Sequence, residues 1–196
     1  EGPNELILVA TDRAGNETRQ VITVNLDTQP PRIDLLGGST VEWTNQPAFR
    51  VEGTLNESGT ISLNGVPFQV APDLTFSVAA RLVEGPNELV LVAKDRAGNE
   101  TRKTVAIHLD TETPRIRWTG LADGDWTNQT NSTITGKLSE PSKLTLNGIP
   151  VLVDSQMEFS APATLVGGVN ILTFLATDRA GNEGQYVMRL NLDQQP

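Results

Sequence analysis

Residues 95–99 read Asp-Arg-Ala-Gly-Asn, and the same five residues recur at 12–16 and at 178–182. Successive copies are 83 residues apart. Repetition at one fixed spacing is typical of a chain that uses a single structural unit several times. The sequence therefore predicts a tandem array rather than one large domain.

Other strings keep the same spacing. Trp43-Thr44-Asn45-Gln46 recurs at 126–129, and Leu63-Asn64-Gly65 recurs at 146–148. No insertion or deletion separates these landmarks. We therefore expect the copies to share one fold.

The 83-residue period sets the predicted domain limits. Whole repeats are expected at residues 30–112 and 113–196, and residues 1–29 match only the last third of a repeat. Pro31 and Pro114 lie beside these limits, where proline stiffens a linker without disturbing either fold.

The pattern within a repeat is that of β-strands. Ile61 and Leu63 alternate with polar neighbours, which is the period of a strand with one buried face. Asn64-Gly65 follows, a strong hairpin signal because both positions tolerate positive φ. The pattern predicts about seven strands and no helix in each repeat, as in a two-sheet β-sandwich.

Residues 1–29 would form only the final two strands of such a sandwich. A two-stranded hairpin is marginal in water and would leave its apolar row uncovered. We expect it to be covered either by a preceding part of the same chain or by another protomer. The residues expected to face inward are Leu6, Leu8, Ala10, Ile22, Val24 and Leu26.

Four segments of the first whole repeat resemble a known family. They are Leu-Asn-Gly at 63–65, Glu-Gly-Pro-Asn at 84–87, Ala-Lys-Asp-Arg-Ala-Gly-Asn at 93–99 and Leu-Asp-Thr at 109–111. They resemble the bacterial immunoglobulin-like repeats of large surface adhesins, and also the immunoglobulin-like accessory module of glucodextranase-type enzymes. The resemblance implies tandem immunoglobulin-like β-sandwiches arranged end to end. It says little about function, because such modules are attached to many proteins.

Composition narrows the possible functions. The 196-residue chain has a formal net charge of −9 and a pI near 4.6, which argues against nucleic acid as a partner, because nucleic-acid binders carry basic patches. It has no cysteine and therefore neither disulfides nor thiolate metal ligands. No apolar run approaches the roughly 20 residues of a membrane-spanning helix.

The sequence shows no catalytic constellation. His108 is the only histidine, and Asn25 and Asn191 stand at the equivalent places, so we expect it to face solvent and to be neither base nor ligand. Paired carboxylates could in principle hydrolyse glycosides. However, the carboxylates of the Asp-Arg-Ala-Gly-Asn strings and of the linkers recur in each repeat, which favours a structural site. We therefore expect a protein that is not an enzyme.

These recurring carboxylates have two interpretations. One is a tight turn in which Asp bonds nearby backbone amides. The other is a calcium site, because in an immunoglobulin-like sandwich the last hairpin turn, the second inter-strand turn and the incoming linker lie at one end, and Ca²⁺ prefers clustered oxygen ligands. The adhesin repeats resembled here often carry calcium at domain junctions. The candidate ligands are Asp27, Glu57, Asp95 and Asn99 at one junction, and Asp110, Glu140, Asp178 and Asn182 at the next.

The tryptophans are a second candidate feature. Trp43 and Trp126 are expected in the loop between the first two strands, at the other end of each repeat. They could stack on sugars, but aromatics make up only 5% of the chain, so packing on the core or on a neighbouring domain suits them better. Trp118 stands where the preceding repeat has Leu35, so we expect it in the core.

These observations favour a mechanical function. We expect spacer or stalk repeats of an extracellular bacterial fibre or adhesin, stiffened by calcium, with neighbouring repeats of the same chain as partners. One alternative is an accessory module, sugar-binding or spacer, of a secreted polysaccharide-degrading enzyme. The other is a filament subunit that joins further protomers through residues 1–29.

Overall fold

The computed structural model describes residues 1–37 and 42–194, and every regular element within them is a β-strand. The strands are β1 (Gly2–Thr11), β2 (Glu17–Leu26), β3 (Ile33–Leu35), β4 (Glu42–Thr44), β5 (Ala48–Leu55), β6 (Gly59–Leu63), β7 (Val66–Phe68), β8 (Thr75–Arg81), β9 (Gly85–Asp95), β10 (Glu100–Leu109), β11 (Ile116–Trp118), β12 (Trp126–Thr127), β13 (Asn131–Leu138), β14 (Lys143–Leu146), β15 (Ile149–Val151), β16 (Glu158–Thr164), β17 (Gly168–Thr177) and β18 (Glu183–Leu192). The all-β prediction is confirmed. This part of the chain contains no helix that could cross a membrane.

The first two strands form a hairpin of their own. β1 and β2 are antiparallel, from Gly2↔Leu26 at the open end to Thr11↔Glu17 beside the turn. The apolar row predicted to need cover is exposed, as expected for a two-stranded hairpin by itself: Leu8, for example, is 54% exposed. The reason is that β1 and β2 make a separate two-stranded sheet among the described residues.

Each whole repeat is built from two sheets. In the first repeat, a sheet with the order β3-β5-β8 accompanies a sheet with the order β4-β10-β9-β6-β7. In the second repeat, β11-β13-β16 accompanies β12-β18-β17-β14-β15. The strand order is the same in both, as the constant spacing predicts, and the two-sheet β-sandwich prediction is confirmed.

Each repeat has one strand more than the sequence predicts. β4 and β12 pair in parallel with the last strand of their repeat, through Trp43↔His108 and Trp126↔Asn191. The prediction that placed both tryptophans in a loop is therefore wrong. Two or three residues carry too little periodicity to be recognised in a sequence, yet they can occupy the open edge of a sheet.

Alternate residues of the facing strands form the core. In the second repeat, Ile134, Phe174 and Met188 are all 0% exposed. Gly136 lies under Phe159, where an added Cβ would come within 2.7 Å of the ring. A glycine at this position lets the ring pack directly on the backbone of β13.

The chain packs as two compact units. The first comprises Glu1–Val41, Ala48–Arg81 and Glu88–Ala106, and the second comprises Glu42–Pro47, Leu82–Asn87 and Ile107–Pro196. Every cluster described below lies within one unit. The domain limits at residues 30 and 113 are limits of the sequence repeat and stay a prediction.

Candidate metal centres

The Asp-Arg-Ala-Gly-Asn string forms the turn between β9 and β10. The amide of Asp95 donates to the carbonyl oxygen of Asn99 at 3.1 Å, which closes the turn. The Asp95 Oδ1 atom accepts hydrogen bonds from the amides of Gly98 at 2.7 Å and Asn99 at 2.8 Å. Gly98 has a φ of 103°, which a side chain would strain. The interpretation of the string as a tight turn therefore holds.

These hydrogen bonds keep a sheltered carboxylate ionised. Asp95 is only 8% exposed. Burial alone would raise the pKa of Asp95, but hydrogen bonds from Asn99, Gly98 and Ala97 outweigh it, and the pKa lies below its ordinary value. A fixed, negatively charged oxygen pair is what a hard cation needs.

Two further carboxylates join this turn. One carboxylate oxygen each from Asp27, Glu57 and Asp95 lie within 4.8 Å of one another. Asp27 precedes β3, Glu57 lies between β5 and β6, and Asp95 ends β9, so three separate segments meet here. Asn99 ties two of these segments together, because its Nδ2 atom donates to Asp95 Oδ2 at 2.8 Å and to the Asp27 carbonyl at 3.1 Å.

The second repeat contains the same cluster. Asp110, Glu140 and Asp178 bring one carboxylate oxygen each within 4.8 Å of the others. The Nδ2 atom of Asn182 donates to Asp178 Oδ2 at 2.7 Å and to the Asp110 carbonyl at 2.8 Å. Both Asp178 and Asn182 are at least nine-tenths buried, at 9% and 8% exposure. The two clusters thus repeat in geometry as well as in sequence.

The dimensions suit calcium. Ca²⁺ binds oxygen at about 2.3–2.6 Å, so two ligand oxygens can be no more than about 5 Å apart. The oxygens of each cluster meet this limit. No lysine or arginine forms an ion pair with these six carboxylates among the described residues. A cation would therefore supply the missing counter-charge.

Electrostatic crowding is visible at Glu140. Burial raises the pKa of Glu140, and the negative charges of Asp110 and Asp178 raise it further. A carboxyl group whose proton is retained in this way is one whose charge needs compensation. Ionisation of Glu140 therefore costs folding free energy while no cation is bound.

The structure brings together the eight residues predicted from the sequence, four in each cluster. The side-chain N–H groups of the two asparagines are also hydrogen-bond donors within the clusters, which the sequence did not predict. One further group was not nominated: the carbonyl of Gln29 accepts from Asn99 Nδ2 at 3.3 Å. A backbone oxygen leaves no mark in a sequence. That these residues ligate a metal stays a proposal.

The aromatic residues occupy different environments. Trp118 packs against the core as expected, with its ring centroid 5.0 Å from that of Phe174. His108 is half-buried rather than solvent-facing, which corrects the sequence prediction. The cause is Trp43, whose ring stacks on the imidazole with centroids 4.2 Å apart. Trp126 is 70% exposed.

An apolar groove lies on the second repeat. It has a volume of about 530 Å³ and lies between β15 and β16, where Val151, Leu152 and Pro162 line it. Phe68 stands at the place of Val151 in the first repeat and packs on Phe76 at 5.7 Å between centroids. No titratable side chain lines the groove, so it offers no groups for acid–base catalysis.

The comparisons with known proteins agree with this architecture. Residues 37–111 and 114–194 each match the family described as glucodextranase, domain B. The chain belongs to the glucodextranase domain B family. The expectation drawn from the sequence motifs is thereby confirmed.

This domain B chain has a relative in Bacillus subtilis. It is similar to Bacillopeptidase F of Bacillus subtilis (strain 168), with 32% identity over 128 residues. That alignment covers 64% of this chain and 9% of Bacillopeptidase F. The chain therefore corresponds to a small part of that relative.

Two solved structures have a similar fold. One is the three-domain fragment I67–I69 of titin in an E-to-A mutated variant, with a TM-score of 0.52, 13% identity and coverage of 97% of this chain and 75% of that one. The other contains the fibronectin(III)-like modules of CbhA from Clostridium thermocellum, with a TM-score of 0.50, 11% identity and coverage of 83% and 94%. At such identities the likeness shows the immunoglobulin-like fold alone.

Proposed function

We propose that this chain is a non-catalytic spacer of an extracellular bacterial fibre or adhesin, and that calcium stiffens it. The observation that carries the proposal is the acidic cluster found at the same place in both repeats. A catalytic site would have no reason to be copied from repeat to repeat, whereas a joint must be copied wherever a repeat meets its linker.

The position of each cluster suggests how calcium would act. Asp27 and Asp110 belong to the segments that enter the two sandwiches, just before β3 and β11. The other carboxylates belong to turns of the sandwich itself. One ion bound to all three would fasten the entering segment to two turns and remove its freedom to swing. We expect a Kd for calcium of about 10⁻⁴–10⁻³ M, the range of extracellular calcium-binding modules.

The similarity to Bacillopeptidase F favours a second candidate. A chain that aligns with 9% of a peptidase could be an accessory module of a large secreted hydrolase. In that role the repeats would hold a catalytic domain at a distance or bind its substrate, and the calcium clusters would serve the same mechanical purpose. Binding of the isolated chain to polysaccharides would favour this candidate over the fibre.

Calorimetric titration with Ca²⁺ tests the proposal. We expect two ions per chain, and one ion after either Asp95→Ala or Asp178→Ala. Asp12→Ala is the matched control, because Asp12 accepts from the amide and side chain of Asn16 as Asp95 does from Asn99, but Asp12 belongs to neither acidic cluster. It should leave both ions bound. Small-angle scattering should show a shorter mean end-to-end length of the chain in EDTA than in calcium, because the entering segments would then be free to swing.

The proposal is wrong if no heat of binding appears and the scattering curve is the same in EDTA and in calcium. Loss of one ion on Asp12→Ala would also contradict it, since the sites would then lie elsewhere.

A further inference from the structure

The half-buried Trp43 has one aromatic partner and one cationic partner, both within the second compact unit. Its ring stacks on His108 with an interplanar angle of 19°. The guanidinium carbon of Arg179 lies 5.2 Å from the centroid of the same ring. A guanidinium within about 6 Å of an indole ring is attracted by the ring's negative face.

Both sides of this contact are held by backbone structure. Trp43 is fixed by the pairing of β4 with β10, reinforced by the Asp110 amide, which donates to the Thr44 carbonyl at 3.0 Å. Arg179 is the second residue of the Asp-Arg-Ala-Gly-Asn turn between β17 and β18, whose backbone is fixed by Asp178. The arginine is therefore presented by a rigid turn to a rigid ring.

The same two strings also come close to each other at a second point. A Cβ placed on Gly181 of that turn would lie 3.9 Å from the Nδ2 atom of Asn45. The turn thus approaches the Trp-Thr-Asn string at two points, through Arg179 and through Gly181. These are two of the strings that recur without change along the chain.

Trp126 is the counterpart of Trp43 without this neighbour. It pairs with Asn191 on β18 as Trp43 pairs with His108 on β10. Yet Trp126 is 70% exposed, and Asn128 is exposed where Asn45 is half-buried. In residues 1–37 and 42–194, no arginine lies over the Trp126 ring.

We propose that Trp126 and Asn128 are a docking surface for the Asp-Arg-Ala-Gly-Asn turn of a further repeat of this kind. Trp43 and Asn45 already hold such a turn, and the residues of the second surface are the same. Arg96 occupies, in the turn of the first whole repeat, the place that Arg179 occupies in the turn of the second.

The inference gives each repeat two complementary halves, a tryptophan string and an arginine turn. It deepens the spacer role proposed above, because it names the contact through which one repeat engages the next. The ring contact itself is made by Trp43 and Arg179 and by no side chain of an acidic cluster, so it can be tested separately from calcium binding.

Acrylamide quenching of tryptophan fluorescence tests it. Two single-tryptophan chains are used. In one, Trp43 is kept and Trp126 is replaced by Phe; in the other, Trp126 is kept and Trp43 is replaced by Phe. Both carry Trp118→Leu, which copies Leu35 of the preceding repeat. Arg179→Ala should raise the quenching of Trp43 towards that of Trp126. Arg96→Ala, at the same place in the preceding turn, is the control and should leave it unchanged.

The docking surface itself is tested by extension. A copy of residues 114–196, with its own tryptophans replaced in the same way, is appended after Pro196. Quenching of Trp126 should then fall to about half or less, towards the value for Trp43, because the arginine of the added turn would cover the ring. Replacing that added arginine by alanine should restore the original quenching.

Two results would overturn the inference: quenching of Trp43 that is unaffected by Arg179→Ala, or quenching of Trp126 that stays the same beside a folded added repeat. All measurements are made both in EDTA and in calcium. If Trp126 becomes covered while calcium has no effect on scattering, the calcium proposal fails and the docking surface stands. If calcium changes the scattering while Trp126 stays exposed beside the added repeat, the docking surface fails and the calcium proposal stands.

Discussion

The hairpins β1–β2 and β17–β18 have the same backbone and different surroundings. Gly2↔Leu26 and Gly168↔Leu192 open the two ladders, and every later pair is in the same register. Both turns are closed by an aspartate that bonds the asparagine four residues on. Yet the side chains that fill a core in one hairpin are exposed in the other. Pairing and turn geometry are therefore determined locally, whereas burial depends on strands elsewhere in the sequence.

The largest expected effect comes from adding, before β1, the strands that precede the matching hairpin in the whole repeats. A copy of residues 30–83 placed directly before Glu1 should complete a sandwich around β1–β2, because Glu84 is the counterpart of Glu1. Full burial of a leucine-sized side chain contributes about 1.5–3 kcal/mol, and several would be buried at once. Hydrogen exchange should show amides at 6–10 and 22–26 changing from weak to strong protection.

A polar prefix of equal length is the control and should leave these amides weakly protected. Strong protection in the unextended chain, lost on dilution, would contradict the comparison. Residues 1–29 would then be covered by another protomer, and the chain would be the filament subunit that the sequence allowed as an alternative.

A smaller effect should separate two leucines at matching places. Leu172 is 5% exposed on β17, whereas Leu6 is 55% exposed on β1. Leu172→Ala should lower the free energy of unfolding by about 2–5 kcal/mol, since it leaves a cavity in the core. Leu6→Ala should cost less than about 0.5 kcal/mol, as exposed substitutions do. Urea denaturation measures both, and equal costs would show that β1 is packed in solution.

The features that could be predicted are those with a local or periodic cause. The alternation around Ile61 determines the strand, and Asn64-Gly65 determines the turn, with φ values of 49° and 81°. The acidic clusters were predictable because a local turn positions Asp95, and the order of strands in the family brings the entering segment to the same end.

The features that could not be predicted depend on partners distant in sequence. His108 is covered by Trp43, which no local pattern connects to it. β4 exists because the edge of β10 is open, and its three residues carry no period of their own. The donor role of Asn99 was missed because a sequence does not show which end of an amide faces the cluster.

The smallest expected effect concerns the charge around the turns. The turn of β17–β18 has Asp110 and Glu140 beside it, whereas the turn of β1–β2 contains Asp12 outside either acidic cluster. The pKa of Glu140 is raised, first by burial and then by the charges of Asp110 and Asp178. Between its ordinary value of 4.5 and the raised pKa, the folded state holds a proton that the unfolded state has released.

In EDTA, the contribution of Glu140 to stability is therefore favourable below that window and is lost as the pH rises through it. Glu140→Gln should remove this loss, so that the variant unfolds at a slightly higher temperature than the wild-type chain at neutral pH. In calcium the order should reverse, because the variant lacks one of the proposed ligands. Glu183→Gln, an exposed position at the start of β18, is the control and should change neither result. If Glu140→Gln lowers the unfolding temperature equally in EDTA and in calcium, Glu140 is stabilised by neighbours other than a cation, and the cluster is not a metal centre.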